Sequence, residues 1–187
     1  MDAEVADVDG NVEVRSRTVS VFDGPDPVIR TFSTESDEYN YVGEWIAMQT
    51  RNGTANHEIG VFVRSNKELE RAIHALNKAQ TPYTILDNAV ETTEDKAAIS
   101  TMHYAKGLEF KAVAVMACDD EIIPSQDRIS AVTDNSDLEE VYNTERHLLY
   151  VTCTRARDQL IVTSVKPSSE FLEDLKGKNA NQTATPH

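Results

Sequence analysis

Apolar residues recur along the chain in short runs separated by helix-period stretches. Val28–Phe32 alternates like a half-buried strand, and from Glu35 to about Thr50 the residues Tyr39, Val42, Ile46 and Met48 form an imperfect helical stripe. Ile59–Val63 (IGVFV) is a short continuous apolar run, the pattern of a strand covered on both faces. Ser65-Asn66-Lys67-Glu68 then reads as a capping box, and Leu69, Ile73 and Leu76 line one face of the helix it opens. Pro82 interrupts that helix. Tyr83–Leu86, Ala98–Met102, Ala112–Ala117 and Leu160–Thr163 are four further strand candidates. Before the last of them, Asp137-x-x-Glu140 is expected to cap a long helix bearing Leu138, Val141, Leu148, Leu149 and Thr152. Strand–helix–strand alternation with buried-type strands predicts an α/β fold, a mostly parallel sheet with helices on both faces. Ligands in such sheets sit at the carboxyl ends of the strands, so any site is expected in the loops after Val63, Met102, Ala117 and Thr163.

The ends of the chain differ from its middle. Residues 1–25 show little periodicity and are expected to be an arm or linker, 26–175 a single domain, and 176–187 a disordered tail. With 187 residues and 40 % hydrophobic positions, one domain with a sizeable core is expected. No apolar run is long enough to span a bilayer, the start lacks a secretory pattern, and no membrane partner is expected. Two cysteines, Cys118 and Cys153, without metal or redox spacing fit a reducing, cytoplasmic setting and read as packing residues.

Charge is abundant and uneven. The net charge is −14, with −8 in residues 1–44 and −8 in residues 119–145, which leaves +2 elsewhere. A chain this acidic is not a general phosphate-coating protein, so any nucleic-acid contact must be local. The acidic runs read as solvated faces, and Asp119-Asp120-Glu121 as solvated loop acids rather than a metal site.

Two segments carry candidate chemistry. In Ser100–Phe110, directly after a strand, Thr101, His103 and Lys106 crowd into six residues, and Gly107 permits a tight turn or close backbone approach. A hydroxyl, an imidazole and an ammonium together form a natural site for anionic oxygen. Glu109 would repel a phosphate and suits sugar hydroxyls instead. In Glu145–Asp158, a helix buries Leu148, Leu149 and Thr152, and its end presents Arg155 and Arg157. Arginines there complement the helix dipole, or, placed at the carboxyl edge of the sheet, reach the phosphate of a nucleotide held by another domain. Neither GxxxxGK[ST] nor GxGxxG occurs, so this chain is expected to supply at most half of a nucleotide site.

Together these segments resemble the UvrD/Rep/PcrA family of superfamily 1 DNA helicases. T-M-H-x-x-K-G-L-E-F is similar to helicase motif V, E-R-x-L-L-Y-V-x-x-T-R-A-R to motif VI, and Ile59–Leu86, with V-R-S-N at 63–66, to motif IVa. Order and spacing agree from about Val28 to Ser164. The resemblance implies the second of two RecA-like motor domains, which hold ATP with Mg2+ in the cleft between them. Arg155 would be the catalytic arginine finger, and Glu109 and Gly107 would join it on the nucleotide. Thr101, His103, Asn66, Arg64 and Lys106 would lie toward single-stranded DNA. The implied partners are that DNA and the N-terminal motor domain, which would bring most of the ATP and Mg2+ site.

The departures from the family are specific. The Walker lysine, the magnesium-binding acids and the N-Y-R-S motif that opens this domain are absent. The family's large accessory insertion has room only at Asn88–Ala97, and Thr144-Glu145-Arg146-His147 stands where motif VI normally begins E-E-R-R. The chain alone is therefore expected not to hydrolyse ATP. The alternative reading is a non-catalytic protein-interaction module that keeps the helicase fold and binds through its acidic faces.

Overall fold

Each apolar run becomes one strand of a six-stranded parallel sheet in the computed structural model of the chain. The structure describes residues 27–87 and 93–176, together with a short antiparallel pairing of Val5–Ala6 with Val12–Glu13. The strands are β1 (Val28–Phe32), β2 (Ile59–Val63), β3 (Tyr83–Ile85), β4 (Ala97–Thr101), β5 (Phe110–Val115) and β6 (Ala156–Val165). They lie in the order β1-β6-β5-β2-β4-β3, and every pairing is parallel. All strands therefore end at one carboxyl edge and begin at one amino edge. Between them run α1 (Glu35–Arg51), α2 (Leu69–Lys78), α3 (Gln126–Ser130), α4 (Asn135–Cys153) and, after β6, α5 (Phe171–Lys176).

The central strands bury both faces, as continuous apolar runs require. Val42 and Ile46 of α1 and Ala72, Ala75 and Leu76 of α2 pack on Ile59, Val61, Val63, Ile99 and Ala114. On the other face Leu149 and Cys153 of α4 and Phe171 and Leu172 of α5 cover Phe62, Val113, Val115, Leu160 and Val162. Phe62 meets Phe110 edge-on, with ring centroids 5.8 Å apart. The expected two-faced, mostly parallel architecture is what the chain adopts.

Local signals explain most boundaries. Thr34 caps α1 by accepting from the Asp37 amide at 3.1 Å, and Glu35, Asp37 and Glu38 in the first turn complement the helix dipole. Ser65 and Glu68 form the expected reciprocal cap, though they open a short 3-10 turn, Asn66–Glu68, that leads into α2. The cap of α4 differs from expectation. Asp134, in extended conformation, accepts from the Asp137 amide at 2.9 Å, so Asp137 lies inside the helix rather than capping it. β6 begins at Ala156, earlier than Leu160, because its ladder with β5 pairs Ala156 with Phe110 and Gln159 with Ala112, across a register shift that takes up Arg157 and Asp158. Hydrogen bonding extends a strand where hydrophobicity gives no signal.

Gly43 lets α1 approach α2. A Cβ there would lie 2.7 Å from the Ala75 carbonyl oxygen and 2.8 Å from Lys78 Cβ. Gly43→Ala must push the helices apart, and urea unfolding is expected to show a loss of about 1–3 kcal/mol despite alanine's better helix propensity. Equal or higher stability would mean the helices separate without cost.

Apart from the short N-terminal pairing and Lys176, the expected arm 1–25 and tail 176–187 lie outside the described residues, as do 88–92 of the short insertion point. Among the described residues no helix is long and apolar enough to cross a membrane. Cys118 and Cys153 are fully buried, and burial pushes the Cys153 thiol up to about 12 and that of Cys118 well above its ordinary range. They pack and do not react.

Candidate functional site

The two chemistry-bearing segments do not form one site. They form two, at opposite edges of the sheet. Thr101 ends β4, whose partner β2 ends at Val63, so Arg64 and the Met102–Tyr104 turn emerge side by side at the carboxyl edge. Glu109 precedes β5 and Arg155 precedes β6, and those strands pair at Phe110 and Ala156, so both residues stand at the amino edge. The expectation that Arg155 occupies the carboxyl edge is therefore corrected. It follows α4 but precedes a strand, and in a parallel sheet the return from a crossover helix delivers the chain to the amino edge. Residues 102–109 make the whole crossing from β4 to β5 without an α-helix, with Met102 and Ala105 buried against the α4 face. The motif V stretch thus begins at one edge and ends at the other.

At the amino edge Arg155 is half-buried and folded back on its own backbone. Its Nε donates to the Val151 carbonyl (3.0 Å), Nη1 to that of Leu108 (3.3 Å), and Nη2 to Thr154 Oγ1 (3.0 Å). The first bond satisfies an end-of-helix carbonyl and the second ties the guanidinium to the residue before Glu109. The Phe110 amide donates to the Arg155 carbonyl at 2.9 Å, locking the two segments together. Gly107, at φ +83°, takes the left-handed turn that brings the chain here, and Glu109 is exposed beside it. A cation and a carboxylate on one margin, next to a tight turn, can meet a ligand presented from outside. Among the described residues no group of three or more His, Cys, Asp or Glu is placed to hold a metal ion.

At the carboxyl edge the arrangement is less open than the sequence suggests. Arg64 is only 7 % exposed and forks onto Glu145 of α4, with Nε to Oε2 at 2.7 Å and Nη2 to Oε1 at 2.6 Å. Its Nη1 lies 3.0 Å from His103 Nε2. Glu145 also accepts from Arg128 Nη1 (2.9 Å) and the Ser125 amide (3.2 Å). Burial works against its charge, but the Arg64 and Arg128 bonds outweigh that and hold the carboxyl below its ordinary range. Thr101 is mostly buried at the strand end, whereas Asn66, His103 and Lys106 are exposed. Arg64, expected among surface contacts, is therefore enclosed beneath His103, because a carboxylate 81 positions away claims its fork.

Glu145, Arg128 and the Ser125 amide complete this edge, and sequence reasoning assigned none of them to it. The one available signal was an acidic residue on the inward-facing stripe of a helix. A second buried cluster shows the same effect. Arg71 of α2 joins Glu38 of α1 and Asp119, which in turn accepts from the Val165 amide at 2.6 Å. Glu38, Asp119 and Glu145 all belong to the runs read as solvated faces, yet each is spent on an arginine. Asp119 is thus a structural acid, and the acidic faces carry fewer free charges than the sequence count suggests.

The chain can now be compared with known proteins. Residues 87–167, which hold both candidate segments, match the family described as the UvrD-like helicase C-terminal domain. The match covers less than half of the chain. The UvrD-like match takes in Gly107, Glu109, Arg155, Glu145, Arg128 and Ser125, but not Arg64. The ATP-dependent DNA helicase Rep of Buchnera aphidicola (subspecies Acyrthosiphon pisum) is 40 % identical over 77 residues, 41 % of this chain and 11 % of that protein. The ATP-dependent DNA helicase Srs2 of Schizosaccharomyces pombe is 34 % identical over 96 residues, 51 % of this chain and 10 % of that one. The chain thus spans about a tenth of the length of these relatives. Among solved structures, the C-terminal domain of a possible DNA helicase from Lactobacillus plantarum WCFS1 shares the fold, with a TM-score of 0.62 and 20 % identity over 86 % of this chain and 91 % of that one.

Proposed function

We propose that this UvrD-like domain is the second motor domain of an ATP-dependent DNA helicase. Its amino edge faces ATP held by an N-terminal motor domain, and its carboxyl edge faces single-stranded DNA. The observation that carries the reading is the joining of Arg155 to the Leu108–Glu109 step. It gathers a guanidinium, a carboxylate and the Gly107 turn on a margin where this chain has no phosphate loop of its own.

In this reading Arg155 releases its three neutral acceptors and swings onto the γ-phosphate. There its planar, permanent charge offsets the charge that spreads over the transferred phosphoryl group. Glu109 accepts from the sugar hydroxyls, and Gly107 lets the backbone pass close to the nucleotide. The first motor domain supplies the phosphate loop and the Mg2+ ligands, and bound Mg2+ neutralises phosphate charge. On the other edge Thr101, His103 and Asn66 meet DNA phosphates, Lys106 follows them on the crossing between the edges, and Arg64 acts from beneath. With few cations on a chain of net charge −14, binding by this domain alone is weak and steeply salt-dependent. A cytoplasmic setting goes with this reading.

The chain by itself is expected to hydrolyse no ATP. Joined in one polypeptide to a phosphate-binding motor domain of the family, it should support hydrolysis that single-stranded DNA stimulates. Turnover by the chain alone, or a joined protein that folds, binds ATP and stays inert with DNA, would overturn the reading.

A further inference from the structure

Arg64 and His103 leave β2 and β4 as neighbours, and the chemistry of their contact fixes more than distance. A guanidinium has N–H groups and no acceptor. Where its Nη1 lies 3.0 Å from His103 Nε2, the ring nitrogen must be the acceptor, so Nε2 bears no proton. The imidazole is then neutral and carries its single proton on Nδ1. A protonated ring would set N–H against N–H and place two cations side by side.

We infer that Arg64 and Glu145 are positioning residues, which hold His103 as a neutral imidazole whose hydrogen-bond donor is Nδ1–H, ready for a phosphate oxygen of single-stranded nucleic acid. The nucleic-acid clause rests on the reading of the carboxyl edge given above; the state of the ring does not. Glu145 is completely shielded from solvent in its side chain, and it takes two of the guanidinium's bonds. The fork cannot rotate away from His103 without stranding that carboxylate. Arg128 and the Ser125 amide hold Glu145 from its other side. The charged groups that bear on the ring are therefore Arg64 at the end of β2, Glu145 on α4 and Arg128 on α3. Burial and then Arg64 hold His103 below its ordinary value, Arg128 adds to this, and Glu145 opposes it. Geometry and charge agree that the ring is uncharged at neutral pH.

The consequence is a contact of direction rather than charge. An imidazolium would bind phosphate more weakly as pH rose through about 6.5, whereas a fixed neutral donor is indifferent to that change. It also explains how an exposed histidine and a buried arginine share one role.

Nitrogen-15 NMR of the histidine rings in the 187-residue chain, without DNA, reads the tautomer and titration of His103 directly. Binding of a single-stranded oligothymidylate between about pH 6 and 8 reads the consequence. The wild-type ring is expected to bear its proton on Nδ1 and to titrate below the ordinary value, with affinity flat over the neutral and alkaline part of that range. Arg64→Met with Glu145→Met replaces the ion pair by side chains of similar volume, a change that buried pairs often tolerate. There the ring should become a mixture of tautomers, titrate nearer the ordinary value, and bind about tenfold more weakly at the alkaline end. Acidification should then restore affinity as the ring gains charge. A wild-type ring protonated on Nε2, which needs no variant to detect, overturns the inference. So does a titration that the double variant leaves unchanged, or an affinity that stays constant while the ring changes. Failure of the wild-type chain to bind oligothymidylate, with the ring as described, overturns the nucleic-acid reading and leaves the positioning of His103 established.

Discussion

Under the proposed function, Arg155→Ala is expected to lower the ATP turnover of the assembled motor by about 10³–10⁵-fold and to leave this domain folded. The size follows from charge developing where water is excluded, which a guanidinium meets with two aligned donors. The mildness toward folding follows from the resting contacts. Arg155 donates to two carbonyls and one hydroxyl in a half-buried position, and water replaces bonds between a cation and such neutral acceptors at a cost of about 1–3 kcal/mol. Those same acceptors are what the side chain must leave, and exchanging them for a phosphate oxygen is favourable because that acceptor is itself charged. Arg155→Lys is expected to recover little, since an ammonium offers a point charge and no fork. Steady-state kinetics with saturating ATP and single-stranded DNA, beside a thermal melt, separate the two effects. The loss should fall on kcat. If Arg155→Ala keeps most of its turnover, the finger is another residue.

The second large effect concerns stability. Arg71→Ala is expected to cost about 3–5 kcal/mol in urea unfolding, a large part of the roughly 5–15 kcal/mol that holds a domain together. The Arg71 side chain is 6 % exposed and ion-paired to Glu38, which is fully buried, and to Asp119 at 2.7 Å. Glu38 Oε1 also accepts from the Ala117 amide at 3.0 Å and Thr163 Oγ1 at 2.7 Å. One cation therefore bridges the two acids that join the start of α1 to the ends of β5 and β6. Removing it leaves a carboxylate in the interior, so the penalty is that of an uncompensated charge rather than one lost bond. The double variant Arg71→Met, Glu38→Met removes the fully buried pair and should recover part of the loss, since Asp119 keeps the Val165 amide but loses its cation. A cost below about 1 kcal/mol for Arg71→Ala would mean that water reaches Glu38.

Much of this molecule was legible one-dimensionally. Strand cores such as IGVFV are read correctly because burial on both faces demands unbroken apolar side chains, and helices such as α2 because one face must repeat at helical spacing. Capping signals were legible to within a turn: Ser65 held, while Asp134 displaced Asp137 because the extended backbone needed at a cap leaves no trace in composition. The start of β6 was hidden because backbone pairing, not side-chain character, extends it over Arg157–Gln159.

The candidate site divides in the same way. The candidate residues Thr101, His103, Lys106, Gly107, Glu109 and Arg155 come from two short segments, since groups that share a loop must be close in number. Their separation onto two edges depends on the direction in which each strand is entered, which only the wound sheet decides. The partners of charge also lie beyond local reading. Glu38, Asp119 and Glu145 look like solvated acids until folding brings Arg71 and Arg64 against them from 33, 48 and 81 positions away. Patterning along the chain settled which apolar faces are buried and how the segments coil, because hydrophobic burial acts through side-chain type alone. Tertiary structure settled which charge meets which, because Coulomb attraction acts through space and takes no account of the order of residues.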